Sequence, residues 1–61
     1  MTEAQFLGRW GATAEVYPNL SSDTLLRLNR EVFARVADLD VRDPGTDQAV
    51  RDAFAEVIEE L

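Results

Sequence analysis

The sequence predicts an all-α fold, a small three-helix bundle occupying residues 1–61 as a single domain, and three observations predict it. Three segments repeat their apolar residues at intervals of three and four, the spacing that gathers them on one face of a helix. Between these segments lie "PNLSS" and a stretch centred on "DVRDPG", both rich in turn formers. No run alternates apolar and polar residues between turn formers, so no strand competes, and there is no internal repeat or low-complexity block. The helices are expected at approximately 2–17, 21–39 and 46–61.

The first helix is expected to start at Thr2, because Thr2 and Gln5 have the spacing of a capping box while Met1 and Phe6 have that of a hydrophobic staple. Phe6, Leu7, Trp10, Ala14 and Tyr17 then share a face, and Pro18 disfavours helical geometry at Tyr17. On the other side Ala4, Gly8 and Ala12 stand in strict four-residue spacing, with Gly11 and Glu15 close by. Each mid-helix glycine costs about 1 kcal/mol relative to alanine. Such a strip either lets another backbone approach closely, which makes Gly8 and Gly11 candidate contact residues, or marks a weak helix with an undemanding outer face.

The second helix is signalled by Ser21 as N-cap, Leu20 and Leu25 at staple spacing, and Asp23 in the first turn, where a negative charge suits the helix dipole. Leu25, Leu28, Val32, Val36 and Leu39 form one stripe, which Leu26, Phe33 and Ala37 widen until it should touch two elements. This is therefore the central helix. Asp23, Arg27, Glu31 and Arg35 follow at four-residue intervals on a solvated face. Asn29 projects into the apolar sector, where an amide without a partner would cost on the order of 1–3 kcal/mol. It either fixes register against another helix, and so contacts a partner, or bonds a nearby backbone carbonyl in a loop.

The third helix carries the clearest amphipathic pattern: Val50, Ala53, Phe54, Val57, Ile58 and Leu61 follow the helical repeat. Asp43, Pro44 and Gly45 suit a type II turn ahead of it, with Thr46 as its cap and Asp47 in its first turn. Its polar face presents Asp52, Glu56, Glu59 and Glu60, in which Asp52–Glu56 and Glu56–Glu60 are like-charge neighbours and the last two oppose the dipole. Self-stability does not account for that choice, so these four are candidate partner-binding residues.

Composition excludes more than it assigns. The chain has no cysteine, histidine or lysine, so zinc, iron–sulfur and copper sites on nitrogen and sulfur ligands are not expected, and nucleophilic or acid–base catalysis lacks its usual groups. No cofactor, no metal and no catalytic activity are expected, and so small a core has little room for the roughly 300 Å³ of a small-molecule pocket. Twelve acids against six arginines give a net charge of −6, which repels phosphate backbones and anionic lipid and disfavours direct contact with nucleic acid or membrane. The start "MTEAQFLGRW" lacks a signal-peptide pattern, so a cytoplasmic protein is expected. Asp38 and Asp40 imitate the first ligands of a calcium loop, but Arg42, Asp43 and Ala49 occupy the positions that decide it. A looser cation site from Asp40, Asp43 and Asp47 competes with a plain turn, and neither turn nor cap accounts for Asp38 and Asp40.

The function expected from these features is a small acidic protein–protein interaction module, an adaptor, docking, assembly or regulatory subunit. Its partner is another protein, one with a basic surface among the options, or a second copy in a two-fold helical dimer. The alternative is an acidic nucleic-acid mimic of the phage or anti-CRISPR kind, in which Asp52, Glu56, Glu59 and Glu60 compete with phosphates for a basic protein. A structural subunit of a larger assembly is the third expectation.

Overall fold

The computed structural model describes residues 1–61 as three helices in chain order, α1 Glu3–Trp10, α2 Ser22–Val36 and α3 Thr46–Glu60, with no strand. The all-α bundle expected from the sequence is therefore present. Helix α2 is its centre, packing against both α1 and α3, with the α2–α3 contact the more extensive.

The start of α1 follows the capping box. Thr2 Oγ1 accepts from the Gln5 N–H at 3.1 Å and Gln5 Oε1 accepts from the Thr2 N–H at 2.9 Å, so two otherwise orphaned donors are satisfied. The Met1 ammonium lies just ahead of this box and donates to the carbonyls of Ala37 and Leu39 at 2.7 and 2.8 Å. A cation thus sits where α2 ends and its last carbonyls lack helical partners, the favourable end of the dipole for positive charge.

Helix α1 ends at Trp10, well short of the expected boundary at Tyr17. Gly11 still donates to the Leu7 carbonyl, but its backbone then turns to the extended region at φ −53° and ψ 132°. The next residue is captured by α2: Asn29 Oδ1 accepts from the Ala12 N–H at 2.7 Å while Asn29 Nδ2 donates to the Ala12 carbonyl at 3.1 Å. Both backbone groups that Ala12 would give to a continuing helix are taken by one side-chain amide. Residues 13–17 form a turn closed by the Val16 and Tyr17 N–H groups on the Thr13 carbonyl. Ala14 is consequently exposed, and the small-residue strip is broken because Gly11 and Ala12 lie outside the helix. Of the two readings of Asn29, the loop bond is the one present.

Phe6, Leu28, Val32, Val50 and Val57 are wholly enclosed and Val36, Ala53 and Phe54 nearly so, which makes one core at the meeting of the three helices. Phe6 is its wedge, with its ring centroid 5.6 Å from Phe33, 6.0 Å from Phe54 in a stacked arrangement and 6.4 Å from Trp10. Burying such a ring contributes about 1.5–3 kcal/mol, and aromatic pairing adds to it. The apolar stripes are filled unevenly. Leu26 is 65% exposed and Ile58 and Leu61 are 40% and 44% exposed, because the short α1 covers too little of α2 and α3 to enclose them.

The connection into α3 differs in detail from the expected type II turn. Thr46 donates its N–H to the Asp43 carbonyl, but Gly45 stands at φ −79° and ψ −15°, the third position of a type I turn. Asp43 Oδ1 accepts from the Gly45 N–H at 2.8 Å and Asp40 Oδ1 from the Arg42 N–H at 2.9 Å, so each aspartate braces its own turn. Asp40 is thereby accounted for. Thr46 is not the cap: it is buried inside the helix start and its hydroxyl donates to the Asp40 carbonyl, while α3 has no side-chain cap.

Two expected outcomes follow from this geometry. A Cβ at Gly8 meets nothing within 4 Å, whereas one at Gly11 would stand 2.6 Å from the Leu7 carbonyl oxygen. Gly8→Ala should therefore raise stability by about 0.5–1 kcal/mol and Gly11→Ala should lower it, read from urea unfolding curves. Asn29→Ala, which strands both Ala12 backbone groups, should cost about 1–3 kcal/mol in the same measurement.

Candidate functional site

The four acidic candidates of α3 are all exposed, but they do not form a free stripe. Arg35 crosses from α2 and places its terminal nitrogens 3.3 Å from Glu56 Oε2 and 2.9 Å from Glu60 Oε1. The hydrogen bond to Glu60 raises the Arg35 pKa above its ordinary value, desolvation opposes this, and the charges of Glu60, Glu56 and Glu31 add to the rise. The like-charge arrangement on α3 is thus partly answered by an interhelix clamp, contrary to the expectation that structure gave no reason for it. Asp52 accepts from the Gln48 side chain at 3.0 Å, and the Glu59 side chain is exposed. Arg35 leaves the ladder expected along α2, in which only Arg27 and Glu31 form an ion pair.

The other candidates from the sequence lie apart from this face. Gly8 is on the exposed side of α1 with open space around its α-carbon, Gly11 is the half-buried end of that helix, and Asn29 is half-buried and bonded to Ala12. No three carboxylates come together in a metal-binding arrangement. Asp43 braces its turn, while Asp47 accepts from the Trp10 indole N–H at 2.9 Å and forms an ion pair with Arg51, Nε to Oδ2 at 3.1 Å.

What sequence reasoning missed is a groove. After Gly11 the connector from Ala12 to Leu20 runs beside α3 as irregular chain, and between them opens a trough of about 500 Å³ lined mainly by Trp10, Val16, Tyr17, Val50, Phe54 and Ile58. A second hollow of about 320 Å³ shares Val16, Tyr17 and Ile58 with it and continues to Pro18, Leu20 and Leu61. The volume judged too large for so small a core therefore lies on its surface. Val16, Ile58 and Leu61, at 66%, 40% and 44% exposure, are large apolar side chains brought together here from two distant parts of the chain. The one available signal was the pair Gly8 and Gly11, which weakens a helix running through both.

The lining of both hollows is predominantly apolar. The ionisable groups in that lining are Arg9, Arg51 and the Tyr17 phenol. No protein-family model matches the chain, and no curated protein or solved structure matches it. No helix is long and apolar enough to cross a membrane.

The Arg35 clamp has a measurable consequence. Arg35→Gln should lower the melting temperature at low ionic strength, and the difference from the parent should shrink as salt screens the lost charges, as followed by circular dichroism. Because the guanidinium pKa is raised, its contribution is present throughout the neutral range and is lost only in strong alkali; its own titration should add no slope to stability between pH 6 and pH 9.

Proposed function

We propose that this protein is a small interaction module, with no catalytic activity of its own, that docks a segment of another protein in the groove between the connector and α3. The observation that carries this is the gathering of Val16, Ile58 and Leu61, all substantially exposed, along two adjoining hollows, the first lined by Trp10 and Phe54 and both by Tyr17. Contiguous apolar surface with a polar surround is the usual mark of an interaction site. Aromatic anchors add to it, since tryptophan and tyrosine are enriched where binding energy concentrates. Adaptor, assembly and regulatory roles all fit such a module, and self-association through the same groove is its homo-oligomeric form.

The nucleic-acid-mimic reading draws on the net charge of −6 and on the exposure of Asp52, Glu56, Glu59 and Glu60. It is the less supported of the two, because Arg35 neutralises part of that face at Glu56 and Glu60. The readings part company in one experiment. In a pull-down from native cells with mass identification, Ile58→Asp should lose the specific partner while the combined amides Asp52→Asn, Glu56→Gln, Glu59→Gln and Glu60→Gln retain it. The reverse pattern, with binding that falls steeply as salt rises, would assign the protein to the mimics. Ile58 is exposed enough for the aspartate to be tolerated, and an unchanged helical circular dichroism spectrum confirms that the variant is folded.

A further inference from the structure

We infer that the occupant of the groove is an acidic amphipathic segment of a partner protein, seated with its apolar side chains over Ile58 and Val16 and a carboxylate against Arg9 and Arg51; this rests on the docking reading proposed above. The chain carries twelve acids and six arginines, yet the charged residues lining the two connected hollows are Arg9 and Arg51 and no acid. The charged side chains that line the groove are thus opposite in sign to the protein's net charge, with Arg51 paired to Asp47 beside it.

Both guanidinium groups have capacity left for a carboxylate. Arg9 lies over the Trp10 ring at 5.4 Å and forms no ion pair within the chain. Arg51 Nε is paired with Asp47 at 3.1 Å, and its two terminal nitrogens have no acceptor. Asp47 also accepts from the Trp10 indole N–H, so one carboxylate holds both the aromatic wall and Arg51 in position. A planar guanidinium held in this way is suited to receiving a second carboxylate, through charge-assisted hydrogen bonds.

Charge and apolar surface also set a direction along the groove. Arg9 and Arg51 stand at one end, and the hollow at the other, between Pro18 and Leu61, is lined by no charged side chain. From Arg51 to Leu61 the helix rises about 15 Å, enough for two to three helical turns or a short extended stretch of a partner. Ala55, small and exposed midway, leaves room for that chain to approach α3 closely. The long-range field of a −6 protein favours basic ligands, so a preference for acidic ones must come from these two arginines.

The test is selection from a random twelve-residue peptide display library on the immobilised protein, followed by fluorescence titration of the recovered peptides using Trp10, the single tryptophan. The expected peptides combine aliphatic or aromatic residues with at least one Asp or Glu near one end. Their affinity should fall about tenfold in the double variant Arg9→Gln, Arg51→Gln, and should be abolished by Ile58→Asp. Basic apolar peptides that depend on Ile58 but not on the arginines would overturn the inference and leave the docking reading standing. Failure to recover any peptide that depends on Ile58 would overturn both. A dimer in sedimentation that Ile58→Asp dissociates would assign the groove to a second copy of the chain, and so also overturn the acidic occupant.

Discussion

The pairing of the Asn29 amide with the backbone of Ala12 is the constraint from which the rest of the architecture follows. A side-chain amide carries the same donor and acceptor as a peptide unit, and here it takes both groups of residue 12 at 2.7 and 3.1 Å. A helix passing through Ala12 would need those groups for itself. Two glycines make the helix a poor competitor, and Gly11, whose position would bring any Cβ into the Leu7 carbonyl, releases the chain at that point. The helix therefore stops after Trp10, the connector crosses the flank of α3 as irregular chain, and the groove is what that substitution leaves open.

A chain of this size buries so little surface that a shortened helix has to be compensated. Compensation comes from contacts that tie distant parts of the sequence together at the ends of the helices. The Met1 ammonium closes the end of α2, Trp10 bonds Asp47 at the start of α3, Thr46 bonds the carbonyl of Asp40, and Arg35 reaches Glu56 and Glu60 near the end of α3. Exposed ion pairs contribute little individually, so Phe6 and the valines of α2 and α3 remain the main source of stability. The polar contacts choose among the ways that these helices can pack around Phe6.

The legibility of this structure in its sequence divides along the range of the interaction involved. Capping by Thr2, Gln5 and Ser21 was readable because each bond spans three residues, and the starts of α1 and α2 fall where those residues place them. The buried faces of α2 and α3 were readable at Leu28, Val32, Val50 and Val57 because helical periodicity decides them locally. The end of α1 was not, since it depends on an asparagine seventeen positions away in the chain. Thr46 looked like a cap for the same reason in reverse: its residue type fits, but a carbonyl six residues earlier claims the hydroxyl. The groove could not be foreseen from the pattern, because an apolar residue at a helical interval reads as core whether or not another element arrives to cover it.

The same division explains the electrostatics. A net charge fixes the field at a distance, and at −6 that field is acidic whatever the fold does. Close to the surface, the arrangement of individual side chains takes over. Arg35 removes part of the negative character from one flank of α3, while on the opposite flank, where α1 gives out, the only charged side chains lining the groove are Arg9 and Arg51. One helix thus separates a clamped, carboxylate-rich side from an apolar side with cationic groups at one end. A ligand attracted by the field and a ligand retained by the groove need not have the same charge, and under the docking reading proposed above that separation would be a means of specificity: a basic surface on a partner's body would steer the encounter while an acidic, apolar segment of the same partner would decide whether it stays.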